Sequence, residues 1–154
     1  MEHPKLKMKN SIEVLVLDFD GVICDSRNEC LNLSLNCFLD MEPSYTLALT
    51  GNSLVQAKNY FLECRGLVRP ARNFYLLWIL AFQHPAPSCS VVEFELMTPK
   101  YEAKLREFER LFFNRRKNML RNDPEGFIAL NAFYSDVQET LDKLTLPTYI
   151  VSTK

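Results

Sequence analysis

Asp18-Phe19-Asp20-Gly21 is the segment of this chain whose residue types and spacing could do chemistry. At average residue frequencies a D-x-D-G string arises by chance about 0.04 times in a chain of this length. Two carboxylates so close in sequence can face one crevice once the backbone leaves the extended conformation. Their mutual repulsion then calls for a cation or a shared proton. A hard, oxygen-seeking Mg²⁺ meets that need. With the charge balanced, one carboxylate can act as nucleophile while the other gives and takes protons. Gly21 permits the tight backbone path that brings both groups near one substrate. Asp25 is better placed to brace the following loop than to join the chemistry.

Such a pair needs a rigid support. Ile12, Val14, Leu15, Val16 and Leu17 form an almost continuous apolar run ending at Asp18. Closed by a Gly-containing turn, the run predicts a strand buried on both faces of a parallel sheet. Ligand sites of open α/β sheets lie beyond the carboxyl ends of their strands, which is where these carboxylates stand. A second buried strand is predicted at Thr148–Ser152, after Pro147.

The segment between the strands reads as helical. Ser26 and Glu29 match the S-x-x-E capping box and open a helix to about Leu39, with Leu31, Leu35 and Phe38 on one face. A second helix over 53–65 turns Leu54, Ala57, Phe61 and Cys64 inward, and Gly66 is its expected left-handed stop. Pro70 falls in the first turn of a third helix. The body of that helix, Phe74–Phe82, is apolar nearly all round and must be sandwiched between others or lie at an interface.

A break follows at His84–Ser88, where His84 is assigned no role. Val91–Leu96 fits a strand or a short helix. A long charged helix is expected from Thr98 to about Asn118, with Pro99 at its first position and Leu105, Phe108, Phe112 and Met119 on its apolar side. Asn122-Asp123-Pro124 breaks the chain, and a short helix over 136–144 precedes the second strand. About a hundred mostly helical residues far exceed the dozen or so that a βαβ crossover needs. The expected fold is therefore α/β: two parallel core strands from residues 1–26 and 127–154, with a large, mostly α-helical insertion over 27–126.

The string Asp18–Ser26, set after Ile12–Leu17, resembles the first motif of the haloacid-dehalogenase-like (HAD) hydrolases, the group that includes phosphoglycolate phosphatase. Tyr149–Lys154 is similar to their second motif, a strand ending in a hydroxyl residue, and the intervening helices resemble the cap that many members insert after the first motif. Val68-Arg69-Pro70 and Ala129–Tyr134 add a looser likeness to HAD-like hydrolases of photosynthetic organisms.

The resemblance implies a Rossmannoid core and a Mg²⁺-dependent phosphatase acting on a small phosphorylated metabolite. It makes Asp18 the nucleophile, forming an aspartyl-phosphate and binding Mg²⁺ through its second oxygen. It makes Asp20 the group that protonates the leaving oxygen and then activates water, its backbone carbonyl helping to hold Mg²⁺. Ser152 would hydrogen-bond the transferring phosphoryl group, and the backbone amides of Phe19, Asp20 and Thr153 would stabilise its charge. The proton-shuttling Asp20 favours phosphatase over dehalogenase chemistry. The family scheme also uses a lysine and an acidic motif well downstream of the second motif, whereas this sequence ends at Lys154, which reads as the start of a helix. The expectation is a truncated HAD protein with little activity alone.

Composition bounds the alternatives. Among 154 residues, 18 Lys and Arg face 19 Asp and Glu, for a net charge of −1, so nothing marks a nucleic-acid binder. At 47% hydrophobic and 24% charged the chain can bury a core. No apolar run exceeds Phe74–Phe82, too short for a membrane span, and no signal-peptide pattern follows the charged start, so a cytoplasmic protein is expected, with a plastid not excluded. The five cysteines are odd in number and lack C-x-x-C spacing, which suits buried thiols rather than a disulfide framework or zinc site.

In the insertion, Arg69 is the candidate for pairing with a substrate anion, against the plainer reading of a surface arginine. Arg115, Arg116, Lys117 and Arg121 share their helix with Glu102, Glu107 and Glu109 and read as a solvated face. The rival to an enzyme is a non-catalytic interaction or regulatory module, or a gene remnant, with the all-round apolar helix as its docking element.

Overall fold

A computed structural model of the chain describes residues 13–48, 51–83 and 90–152. The elements in chain order are β1 (Leu15–Asp18), β2 (Cys24–Asp25), α1 (Arg27–Met41), α2 (Asn52–Cys64), α3 (Phe74–Gln83), α4 (Val91–Asn122), α5 (Pro124–Ala129), β3 (Ala132–Phe133), α6 (Val137–Asp142) and β4 (Thr148–Val151). Short 3₁₀ turns lie at Pro43–Ala48, Arg65–Leu67 and Ala71–Asn73. The chain is mixed α/β and forms two compact units, one of Met1–Asp25 with Ala132–Lys154, the other of Ser26–Asn131. No helix among the described residues is long and apolar enough to cross a membrane.

In the sheet unit β1 and β4 run parallel, with Leu15 opposite Thr148, Val16 opposite Tyr149, Leu17 opposite Ile150 and Asp18 opposite Val151. A parallel pair demands a long crossover, and the helical unit is that crossover. Leu15 and Leu17 face a cavity of about 430 Å³ whose other wall is Val137 and Leu141 of α6 with Leu144. The expectation of strands buried on both faces is corrected: Val16 is 61% exposed on β1, and Tyr149, Ile150 and Val151 are exposed on β4. Continuous apolar runs mark strands that are covered on both sides. Here α6 lines one face, and the described sheet has two strands.

The helical unit is organised around α3. Every residue from Phe74 to Ala81 is buried, packed by α1, α2 and α4. The helix is thus the core of its unit and is not the exposed docking element that the rival reading expects. The Trp78 ring stacks on Phe61 at 4.6 Å, and its indole N–H donates to Ser34 Oγ at 2.9 Å. Leu31, Leu35 and Phe38 of α1, Ala57, Phe61 and Cys64 of α2, and Leu105, Phe108 and Phe112 of α4 complete this core, as their spacing predicts. Cys24, Cys30, Cys37 and Cys64 are buried, and Cys89 lies outside the described residues.

Several local expectations give way to packing. Val91–Leu96 continues into a single helix, α4, with Pro99 in its interior instead of at its start. Phe94 is buried in line with Leu105 and Phe108, so the apolar stripe runs through the proline. The hydrogen bond that Pro99 cannot donate belongs to the carbonyl of Glu95, an exposed residue that water can satisfy. Gly66 has no positive φ; α2 ends by tightening into the 3₁₀ turn Arg65–Leu67.

The predicted capping box is absent as well. Ser26 makes no side-chain cap, because Glu29 is fully buried and paired instead with Arg116 of α4, Nε to Oε1 at 2.6 Å. Arg116 therefore lies inside the unit, not on a solvated face. α5 is a helix that the break at Asn122–Pro124 conceals: Asp123 caps it by accepting from the Gly126 N–H at 2.9 Å, with Pro124 at the first position. Since α5 packs on α4, the return to the sheet unit comes at Ala132.

Candidate functional site

Asp18 is the last residue of β1 and pairs with Val151, and Ser152 follows directly after β4. Because the strands are parallel, their carboxyl ends coincide. The register therefore brings Asp18 and Ser152 to the same edge of the sheet, from opposite ends of the sequence.

Beyond Asp18 the chain folds back tightly. The Phe19 carbonyl accepts from the N–H groups of both Ile23 and Cys24 at 3.0 Å, and the Gly21 N–H donates to the Cys24 carbonyl at 2.8 Å. Gly21 has φ +82°, a left-handed conformation, and no atom crowds the place of its missing side chain. Its requirement is thus conformational rather than steric. The turn returns the chain to the sheet end, so Asp18 and Asp20 flank one tight bend. Asp18 is exposed, and its Oδ1 accepts from the Phe19 N–H at 2.8 Å. Asp20 is half-buried, with Oδ1 fully enclosed.

A second, smaller ladder staples this bend. Cys24 and Asp25 pair antiparallel with Phe133 and Ala132, and the Tyr134 N–H reaches the Ile23 carbonyl at 3.3 Å. The Phe133 ring meets the Phe19 ring edge-on at a centroid distance of 6.3 Å. Phe133 is the supporting residue that sequence reasoning missed as a structural element. A two-residue strand has too little length for periodicity to show.

Each predicted residue can now be placed. Asp18, Phe19, Asp20 and Ser152 all belong to the sheet unit. The Phe19 N–H, expected on a phosphoryl group, is bonded to the Asp18 carboxylate. Asp25 stands on β2, in the ladder that braces the bend. Thr153 and His84 lie outside the described residues. Arg69 belongs to the helical unit, exposed beside a cis Arg69–Pro70 peptide. Of the basic cluster, Arg115 pairs with Asp40 and Arg116 with Glu29, while Lys117 and Arg121 are exposed.

Among the described residues no group of three or more His, Cys, Asp or Glu is arranged to hold a metal ion. The bend supplies two carboxylates and backbone carbonyls, all oxygen donors. That donor chemistry suits Mg²⁺, which keeps several of its waters and takes one or two carboxylates. Comparison of the chain with protein-family models, curated proteins and solved structures finds no match.

Proposed function

We propose that this chain is a HAD-like, Mg²⁺-dependent hydrolase of small phosphate esters, its sheet unit forming part of a Rossmannoid core. The observation that supports the reading best is the register of β1 with β4, which gathers Asp18 and Ser152 at one sheet edge beside the Asp20 bend. Asp18 attacks phosphorus, forming the aspartyl-phosphate bond as the phosphorus–oxygen bond to the leaving group breaks. Asp20 gives its proton to that leaving oxygen, then takes one from the water that attacks phosphorus and restores the Asp18 carboxylate. The Phe19 N–H holds one oxygen of Asp18, so the nucleophile presents a defined second oxygen. Ser152 orients the phosphoryl group by hydrogen bonding. Asp18 and Asp20 would hold Mg²⁺, and the chemistry a bound Mg²⁺ supplies is charge neutralisation at the phosphoryl oxygens.

Turnover of p-nitrophenyl phosphate by the purified chain in millimolar Mg²⁺ tests this reading. One carboxylate and one backbone carbonyl would bind Mg²⁺ loosely, so the expected rate is low and rises with Mg²⁺ concentration. Asp18→Asn abolishes it, and Asp25→Asn leaves it within a few-fold. Turnover that survives Asp18→Asn, or that ignores Mg²⁺, refutes the assignment.

A further inference from the structure

The proposed hydrolysis makes no use of the outer edge of β4. The Leu15 N–H donates to the Pro147 carbonyl at 3.0 Å, so the backbone of Pro147 faces β1. Backbone groups alternate in direction along a strand, so Tyr149 and Val151 face β1 as well. Thr148 and Ile150 therefore turn their N–H and C=O groups outward, and among the described residues no further strand meets them. Native sheets blunt such an edge with charge, proline, a bulge or a covering element. Thr148–Val151 carries no charge and no proline, and its register with β1 is unbroken by a bulge. Tyr149, Ile150 and Val151 are exposed. The outer edge of β1 differs, because it ends in the Asp18 carboxylate.

An open edge is completed by another strand, and β4 is its own complement. Antiparallel strands exchange hydrogen bonds only between residues whose backbone groups both face the partner. A two-fold axis through Tyr149 meets this rule, setting Thr148 of each copy opposite Ile150 of the other. Both pairs exchange N–H and C=O bonds, which satisfies every outward group of β4. Tyr149 then stands opposite its own symmetry mate, an aromatic pair across the seam. Charge favours the same occupant. Neither strand at the seam carries a charged side chain, and each copy has a net charge of only −1. Because the two copies run in opposite directions, their Asp18 carboxylates fall at opposite ends of the joined sheet. The pairing uses the same edge of both copies, so it closes at two.

We propose that β4 is the docking edge for a second copy of this chain, paired antiparallel about Tyr149. Sedimentation of the full chain with a thiol reductant, from about 5 to about 500 µM, tests this, since a short edge buries less than a standard interface and should dissociate at about 10–100 µM. Ile150→Lys brings two cations to the seam and should weaken the dimer about tenfold or more. Ile150 is exposed, so that variant should unfold at the same temperature as the parent. A second pair of variants reads the register. Residues opposite each other in a non-hydrogen-bonded pair have Cα atoms about 4.5 Å apart, within reach of a disulfide. In a Cys89→Ser chain treated with oxidised glutathione, Tyr149→Cys should link into covalent dimers and Thr148→Cys should not. A chain that stays monomeric at the highest concentration, a dimer that Ile150→Lys leaves intact, growth beyond two copies, or failure of Tyr149→Cys to link would each overturn the proposal.

Discussion

The Glu29–Arg116 pair gives the sharpest test of how the helical unit is held together. Glu29 is 0% exposed, and Arg116 meets it with Nε on Oε1 at 2.6 Å and Nη2 on Oε2 at 3.0 Å. The Arg116 side chain is 15% exposed, with the Phe127 ring 5.9 Å from its guanidinium carbon. Removing one member of a buried pair costs about 3–5 kcal/mol, because the other stays desolvated. The two members should not be equivalent. Arg116→Met takes the guanidinium from a carboxylate with no route to water, so the full range applies. Glu29→Gln leaves a long arginine already partly at the surface, able to carry its charge outward, and should cost about 1–3 kcal/mol.

Replacing both, Glu29→Leu with Arg116→Met, should fall within about 1 kcal/mol of the parent, since apolar substitutes of similar volume are often neutral. Urea unfolding followed by the fluorescence of Trp78, the single tryptophan and fully buried, measures all three. If Arg116→Met costs less than the glutamate substitution, or the double variant is as unstable as the worse single one, the desolvation argument fails.

The capping of α5 sets two effects against each other. A side chain at Gly126 would place its Cβ 2.0 Å from the Asp123 carboxylate, so Gly126→Ala gains helix propensity of about 1 kcal/mol but expels a cap worth about as much. Calorimetry should find that substitution near neutral, Asp123→Ala destabilising by about 1 kcal/mol, and Gly126→Ala stabilising once Asp123 is gone. Ser34→Ala removes the acceptor of the Trp78 indole N–H and should cost about 1–3 kcal/mol, visible as a shift of the Trp78 emission maximum.

Burial pushes the Glu42 pKa up, but hydrogen bonds from Lys104 and Tyr75 outweigh it and leave the carboxyl below its ordinary value. A lowered folded pKa gives stability present above the unfolded pKa and lost as pH falls through the folded one. Lys104→Met should therefore flatten the acid limb of the stability curve between about pH 5 and 3. Burial raises the Cys30 thiol and pushes Cys37 up to about 11, so neither should react with a disulfide reagent at mildly alkaline pH until the chain unfolds.

What the sequence makes legible follows the range of the interaction. The apolar faces of α1, α2 and α4 read correctly because a 3.6-residue period is a local signal, and the all-round apolar Phe74–Phe82 called for cover by other helices or by an interface, of which the structure shows the first. Local reasoning failed wherever a distant partner outbid a near one. Glu29 looks like a capping residue for Ser26, yet its arginine stands 87 positions away. Pro99 looks like a helix start, yet the burial of Phe94 carries the helix through it. Phe133, which meets Phe19 edge-on and steadies the bend, belongs to a strand too short to leave any pattern.

The candidate site is legible for a different reason, because one of its long-range relations follows from a rule of topology. Two apolar runs separated by helices enter one sheet in parallel, and parallel strands end at the same edge. Asp18 and Ser152 must then meet wherever those two strands are neighbours, whatever the helices between them do. The pairing of Asp18 with Val151 satisfies that condition. The juxtaposition rests on register alone, so a one-residue slip of β4 would exchange its faces and move Ser152 away from Asp18. The proposed catalysis requires this register, and Tyr149 and Ile150, which set it opposite Val16 and Leu17, are residues on which the proposed activity should depend without either touching a substrate.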